Sequence, residues 1–185
     1  PYIIKRVMDA GAAGVIVPMV NSKEEAERAV KSVKYPPVGF RGVGLARAQE
    51  YGFDFEGYKK WLEKESIVIA QIEHIDGVKN LESILSVDDI DGCIIGPYDL
   101  SGSLGLPGDY NNPLVANELE KVEKICKKMK KSLGMHVIPP DHNIMKDYLS
   151  KGYNFLALSL DTLFLGRGYV EELKKLEDRA APVIR

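Results

Sequence analysis

Apolar positions along the chain switch repeatedly between short β-branched runs and longer stretches at helical spacing, the pattern of alternating strands and helices. Ile3, Ile4, Val7 and Met8 share one face of a helix predicted over 1–10, opened by Pro1 and closed by Gly11. Gly14–Val17 follows as a buried strand. Ser22-Lys23-Glu24-Glu25 is a capping box ahead of a helix with Ala26, Ala29, Val30 and Val33 on its apolar face, and Tyr35-Pro36-Pro37 stops it. Arg41–Gly44 reads as a short strand entering a long loop, and Phe53–Lys64 as a helix around Trp61. Ile67–Ile72, apolar but for Gln71, is a strand that ends in Glu73, Gly77–Ser86 a helix, and Asp91–Gly96 a strand with Asp99 just beyond it. Ser101–Pro113, rich in Gly and Pro, is predicted to be irregular. Val115, Leu119, Val122, Ile125 and Met129 mark a helix with one buried stripe. Met135–Ile138 and Phe155–Ser159 are strands separated by a helix over Asn143–Ser150, and Gly168–Leu176 is the last helix.

About six strand–helix units with no linker between them predict an α/β chain with a parallel sheet, forming a single domain over residues 1–185. No Gly-x-Gly-x-x-Gly and no P-loop lysine follows any strand, and Gly42-Val43-Gly44 lacks the third glycine and the following helix. That argues against a doubly wound sheet. The expectation is a (β/α)8 TIM barrel whose first two strands lie upstream of Pro1.

Composition narrows the partners. With 25 Lys+Arg against 27 Asp+Glu, the net charge of −2 gives no nucleic-acid footprint and no membrane-surface patch, and 45% apolar content supports a packed core. No apolar run is long enough to cross a bilayer, and the residues after Pro1 do not read as a secretion signal. Cys93 and Cys126 have neither metal nor disulfide spacing and are expected to be buried and reduced, which suits the cytoplasm.

In a parallel barrel the residues just beyond the strands face the active site. Two carboxylates stand there, Glu73 and Asp99. Carboxylates on adjacent strands repel unless a cation neutralises them or one keeps its proton, and an oxygen-only pair suits Mg²⁺ or Mn²⁺ better than zinc. The plainer reading is that each caps a helix or sits in solvent. His74, His136 and His142 are expected to be structural or solvated, as are Arg41 and Arg47 in the long loop. Lys5, Lys34, Lys79, Lys127, Lys128, Lys130 and Lys131 fall on predicted helices and are expected to be largely solvated, which leaves no Schiff-base candidate.

Gln71-Ile72-Glu73, Ile95-Gly96-Pro97-Tyr98-Asp99-Leu100-Ser101, Val17-Pro18-Met19-Val20 and the run Tyr35–Gly44 together resemble the class II pyruvate aldolases of the HpcH/HpaI family, in order and spacing, over nearly the whole chain. The resemblance implies a barrel of the phosphoenolpyruvate/pyruvate-binding type and a divalent ion, Mg²⁺ or Mn²⁺, on Glu73 and Asp99. It makes Gln71 a contact to bound pyruvate, gives the pyruvate carboxylate to the backbone amides of Tyr98 and Asp99, and matches Asp9 to an aspartate that tunes a histidine base. That histidine, and a pyruvate-binding arginine, belong to strands before Pro1. Tyr98 departs from the small residue common in the family. The implied reaction is aldol cleavage or condensation of a 2-keto-3-deoxy sugar acid or 4-hydroxy-2-oxo acid, giving pyruvate and an aldehyde through a metal-stabilised enolate. Alternatives are a CoA-ester lyase of the same superfamily and a non-catalytic barrel that binds a keto acid or metal. The resemblance also implies a homo-oligomer in which Tyr169, Val170, Leu173 and Leu176 pack on a neighbouring subunit.

Overall fold

The computed structural model describes residues 1–179. Helix α1 (Tyr2–Asp9) leads to β1 (Gly14–Val17) and α2 (Lys23–Val33), and an irregular stretch then precedes α3 (Phe55–Glu65) and β2 (Ile67–Ile72). Two short helices, α4 (Ile75–Lys79) and α5 (Leu81–Leu85), connect to β3 (Gly92–Ile95). Then come α6 (Pro97–Ser103), α7 (Pro113–Met129), β4 (Ser132–Val137), α8 (His142–Ser150), β5 (Phe155–Leu158) and α9 (Asp161–Arg179).

The five strands are all parallel and lie side by side in chain order. Alternation gives each strand two faces. Val68, Ala70 and Ile72, with Cys93, Ile95, Leu133, Met135 and Val137, join the core formed with the helices. The opposite, inner face carries Ile69, Gln71, Ile94, Gly134, His136 and Phe155, in rows set by the pairing of Gln71 with Ile94, Ile94 with Gly134, and Gly134 with Phe155. Gly134 is required by that packing: a Cβ there would lie 2.6 Å from Cδ1 of Phe155.

Local chemistry sets the helix starts. The Ser22 hydroxyl accepts from the Glu25 amide and the Glu25 carboxylate accepts from Asn21, while Asn112 and Asp141 cap α7 and α8. Each cap is worth about 1 kcal/mol.

Several elements differ from the sequence reading. There are five strands among the described residues, not six, because Arg41–Gly44 is not a strand. Its backbone instead returns to α2, with Phe40 and Arg41 amides donating to the Lys31 and Lys34 carbonyls. β1 is a half-open edge strand, with Ile16 45% exposed. The helix predicted over Gly77–Ser86 breaks at Asn80. Residues 101–103 belong to α6, so the irregular loop is shorter than expected. In α1, Met8 is buried while Ile3 and Val7 are exposed. Cys93 and Cys126 are both buried as expected, yet their sulfurs meet at 3.4 Å between β3 and α7. Hydrogen bonding with Cys126, reinforced by burial, holds the Cys93 thiol well above its usual range and protonated.

Gly134→Ala is expected to destabilise the chain by about 1–3 kcal/mol through overpacking. Urea unfolding checks this, and Phe155→Ala in the same background should recover part of the loss.

Candidate functional site

The first residue after β2 is Glu73, and its carboxylate is buried, only 6% exposed. One oxygen accepts the Met19 amide at 2.8 Å and the other the Gln71 side-chain amide at 2.5 Å. Met19 follows β1 with φ of 55°, a left-handed conformation uncommon for a residue with a side chain. A buried carboxylate is costly without partners. Here it has two donors and, among the described residues, no ion pair with Lys, Arg or His. Each oxygen keeps a free acceptor site. Gln71 spends one N–H on Glu73 and retains a second N–H and its carbonyl oxygen.

Gly96, just past β3, makes this packing possible. A Cβ on it would lie 2.7 Å from Glu73 Cβ and 2.8 Å from Glu73 Oε2. Pro97 then opens α6 without an N–H to spare, and Leu100 donates to the Gly96 carbonyl. The amides of Tyr98 and Asp99 have no backbone acceptor among the described residues. Asp99 sits in the first turn with an exposed carboxylate that forms no ion pair there. The Tyr98 ring lies over Gly108 in the following loop, and Ser101 locks that corner by donating to the Tyr98 carbonyl at 2.7 Å and accepting the Gly108 amide at 2.9 Å.

The chain thus gathers Gln71, Glu73, Gly96, Tyr98 and Asp99 at the ends of β2 and β3. No group of three or more His, Cys, Asp or Glu side chains able to hold a metal occurs among the described residues. The donor set is two carboxylates, which matches a hard divalent cation that completes its shell with water or substrate oxygens.

Asp9 stands elsewhere. It closes α1 four residues after Lys5, near the start of β1 rather than the ends of the strands, and its carboxylate binds Lys5 at 2.5 Å and lies 3.9 Å from Arg41. Arg41 is not solvated as expected but fully buried, its guanidinium 4.3 Å from the Tyr35 ring centre and 5.5 Å from that of Tyr58, with a 2.8 Å bond to the Tyr58 hydroxyl. Burial, only partly offset by Arg41, raises the Tyr58 hydroxyl above its usual pKa. Gln49, equally buried, ties the loop together through Tyr35, the Gly44 carbonyl and the Ala46 amide. Lys34 is buried too, donating to the Leu62 and Glu63 carbonyls. Aromatic residues on both sides of the Arg41 loop were the available hint to its burial. Of the histidines, His74 caps α4, and His136 faces the inner side of the sheet.

The HpcH/HpaI aldolase/citrate lyase family profile matches residues 1–166. The chain belongs to that family. The 2-keto-3-deoxy-L-rhamnonate aldolase of Klebsiella pneumoniae subsp. pneumoniae is 39% identical over 163 residues, 87% of this chain and 60% of the relative. A 4-hydroxy-2-oxo-heptane-1,7-dioate aldolase from the same organism is 38% identical over 170 residues, 91% of this chain and 63% of the relative. The chain therefore spans about three-fifths of the length of these curated relatives. Among solved structures, an HpcH/HpaI aldolase/citrate lyase family protein from Burkholderia cenocepacia J2315 superposes with a TM-score of 0.86 at 30% identity, covering 96% of this chain and 70% of that one.

Arg41→Ala is expected to cost about 3 kcal/mol or more, since it empties an aromatic sandwich, leaves the Tyr58 hydroxyl without its partner and removes one of the two cations beside Asp9. Chemical denaturation would register it as a lower midpoint.

Proposed function

We propose that this chain supplies the metal and keto-acid end of a class II pyruvate aldolase. The substrate would be a 2-keto-3-deoxy sugar acid or 4-hydroxy-2-oxo acid, and the products pyruvate and an aldehyde. The observation that carries this reading is the buried Glu73 carboxylate, which has no ion pair among the described residues, packed against Gly96 three residues before the exposed Asp99. Family membership and the names of the relatives support it. The proposed setting is a (β/α)8 barrel to which this chain contributes five sequential parallel strands.

Glu73 and Asp99 would hold the divalent ion, for which Mg²⁺ and Mn²⁺ are the proposed identities. Such an ion, when bound, acts as a Lewis acid toward negative charge developing on the substrate's keto oxygen. The Tyr98 and Asp99 amides, free of backbone acceptors and at the positive end of α6, would bind the pyruvate carboxylate. Gln71 would use its remaining N–H to orient the keto acid. The Met19 amide keeps Glu73 in place, so a water molecule need not fill that role. The role of Asp9 in tuning a histidine base rests on the resemblance alone.

A homo-oligomer in the cytoplasm completes the reading. Tyr169 and Leu176 on α9 are 67% and 65% exposed, and Val170 and Leu173 are also exposed, which gives a second copy an apolar surface to cover. Among the described residues no helix is long and apolar enough to cross a membrane.

Calorimetric titration of Mn²⁺ with oxalate, a mimic of the pyruvate enolate, tests the site. Binding strengthened by oxalate is expected, with loss in Glu73→Ala and Asp99→Ala and at least about tenfold weakening, or about 1.4 kcal/mol, in Gly96→Ala. A folded protein that binds no Mn²⁺ would sink the assignment. Leu173→Glu with Leu176→Glu is expected to shift the assembly toward monomer, read by light scattering.

A further inference from the structure

Cys93 and Cys126 belong neither to the strand-end site nor to the Arg41 loop. Cys93 lies in β3 on the face turned toward the helices, and Cys126 lies in the last turn of α7. Both side chains are fully buried, and their sulfurs meet at 3.4 Å although 33 residues separate them in the chain. Among the described residues neither sulfur has another hydrogen-bond partner. Two separate buried cysteines would be ordinary small core residues. Two in contact are also a dithiol, with a covalent bond open to them. Closing 3.4 Å to the length of an S–S bond, ~2.05 Å, asks for an approach of about 1.4 Å.

The two sulfurs are not equivalent. Hydrogen bonding from Cys93 outweighs burial at Cys126 and draws its thiol below the usual range, while Cys93 is held protonated. Cys126 is therefore the sulfur that ionises first and attacks. The helices packed on α7 include α4 and α5, five residues each and broken from one another at Asn80. Lys128, two residues after Cys126, bridges Glu82 of α5, which places α5 over this end of α7. Helices of that length gain little from their own hydrogen bonds, so local opening there gives a small solute a route to the pair.

We propose that Cys93 and Cys126 form a redox-active dithiol, which hydrogen peroxide converts in the folded chain to an intrachain disulfide joining β3 to α7. The Cys126 thiolate attacks one peroxide oxygen and the O–O bond breaks. This leaves a sulfenic acid on Cys126 and a hydroxide that takes up the proton Cys126 released. The Cys93 sulfur then attacks the Cys126 sulfur, and the Cys93 proton leaves with the sulfenic hydroxyl as water. Two thiols and one peroxide become one disulfide and two waters, with two electrons passing from sulfur to oxygen. In a reducing compartment the dithiol is the resting form. The bond closes a loop that contains Gly96, Asp99 and all of α6, so the oxidised chain resists unfolding more than the reduced one. None of this rests on the aldolase reading.

Peptide mapping by mass spectrometry, after the whole folded chain has been treated with hydrogen peroxide without denaturant, tests the proposal. The expected result is a Cys93–Cys126 cross-link, no free thiol on subsequent unfolding, and return of both thiols with dithiothreitol. The urea midpoint of the oxidised chain should exceed that of the reduced chain. In Cys93→Ala the peroxide should instead leave a sulfenic acid on Cys126 that dimedone traps, and its urea midpoint should not rise. Two intact thiols in the treated native chain overturn the inference, as do oxygen adducts on the separate cysteines without the cross-link, and neither result needs a variant to fold. A disulfide that forms only after urea has unfolded the chain overturns it too, because the folded contact then has no part in the reaction.

Discussion

The Glu73 carboxylate, buried between the Met19 amide and the Gln71 side chain with no cation against it among the described residues, constrains everything built at the ends of β2 and β3. Burying such a charge requires hydrogen-bond donors, and both must come from fixed positions. One is a backbone amide at the end of the neighbouring strand, turned inward by a left-handed Met19. The other is two residues earlier on the same strand and therefore on the same face. The third requirement is space, and Gly96 provides it by having no side chain where Glu73 lies. Three neighbouring strand ends thus become interdependent, and the corner opened by Pro97 brings Asp99 and two unused amides beside them.

A second buried charge governs the opposite side of the fold by different means. Arg41 is held by two aromatic faces and a phenolic oxygen, with Asp9 at longer range, and its Nε and Nη1 have no hydrogen-bond partner among the described residues. A guanidinium tolerates this because its charge is delocalised and weakly hydrated, which an ammonium would not match. Gln49 and Lys34 complete that region by bonding carbonyls, an amide and a tyrosine hydroxyl that an irregular chain would otherwise leave unsatisfied.

Most of the fold was legible in the sequence because strand and helix periods leave strong marks. β2 lies where its apolar run predicted, and the apolar stripe from Val115 to Met129 marked α7. The irregular segment between α2 and α3 was not legible. Its course is set by Gln49 and Arg41, whose partners are distant in sequence, and no local period encodes such contacts. Of the candidate site, Glu73 and Asp99 could be read from where apolar runs stop. The Met19 donor could not, since any residue can offer its backbone and only the fold says which does. His136 shows the limit of reading a strand in isolation. Alternation told that it faced one side, but only pairing with β3 and β5 showed that this side is the one Glu73 faces.

The separation of the two buried charges has a consequence for how such a protein can diverge. Arg41 and its aromatic neighbours lie in the loop after α2 and in α3, whereas the residues around Glu73 lie at and beyond the strand ends, and the two groups share no hydrogen bond. Substitutions at the ends of β2 and β3 and substitutions around Arg41 then act on contacts that do not overlap. Their effects on stability are therefore expected to add rather than to couple.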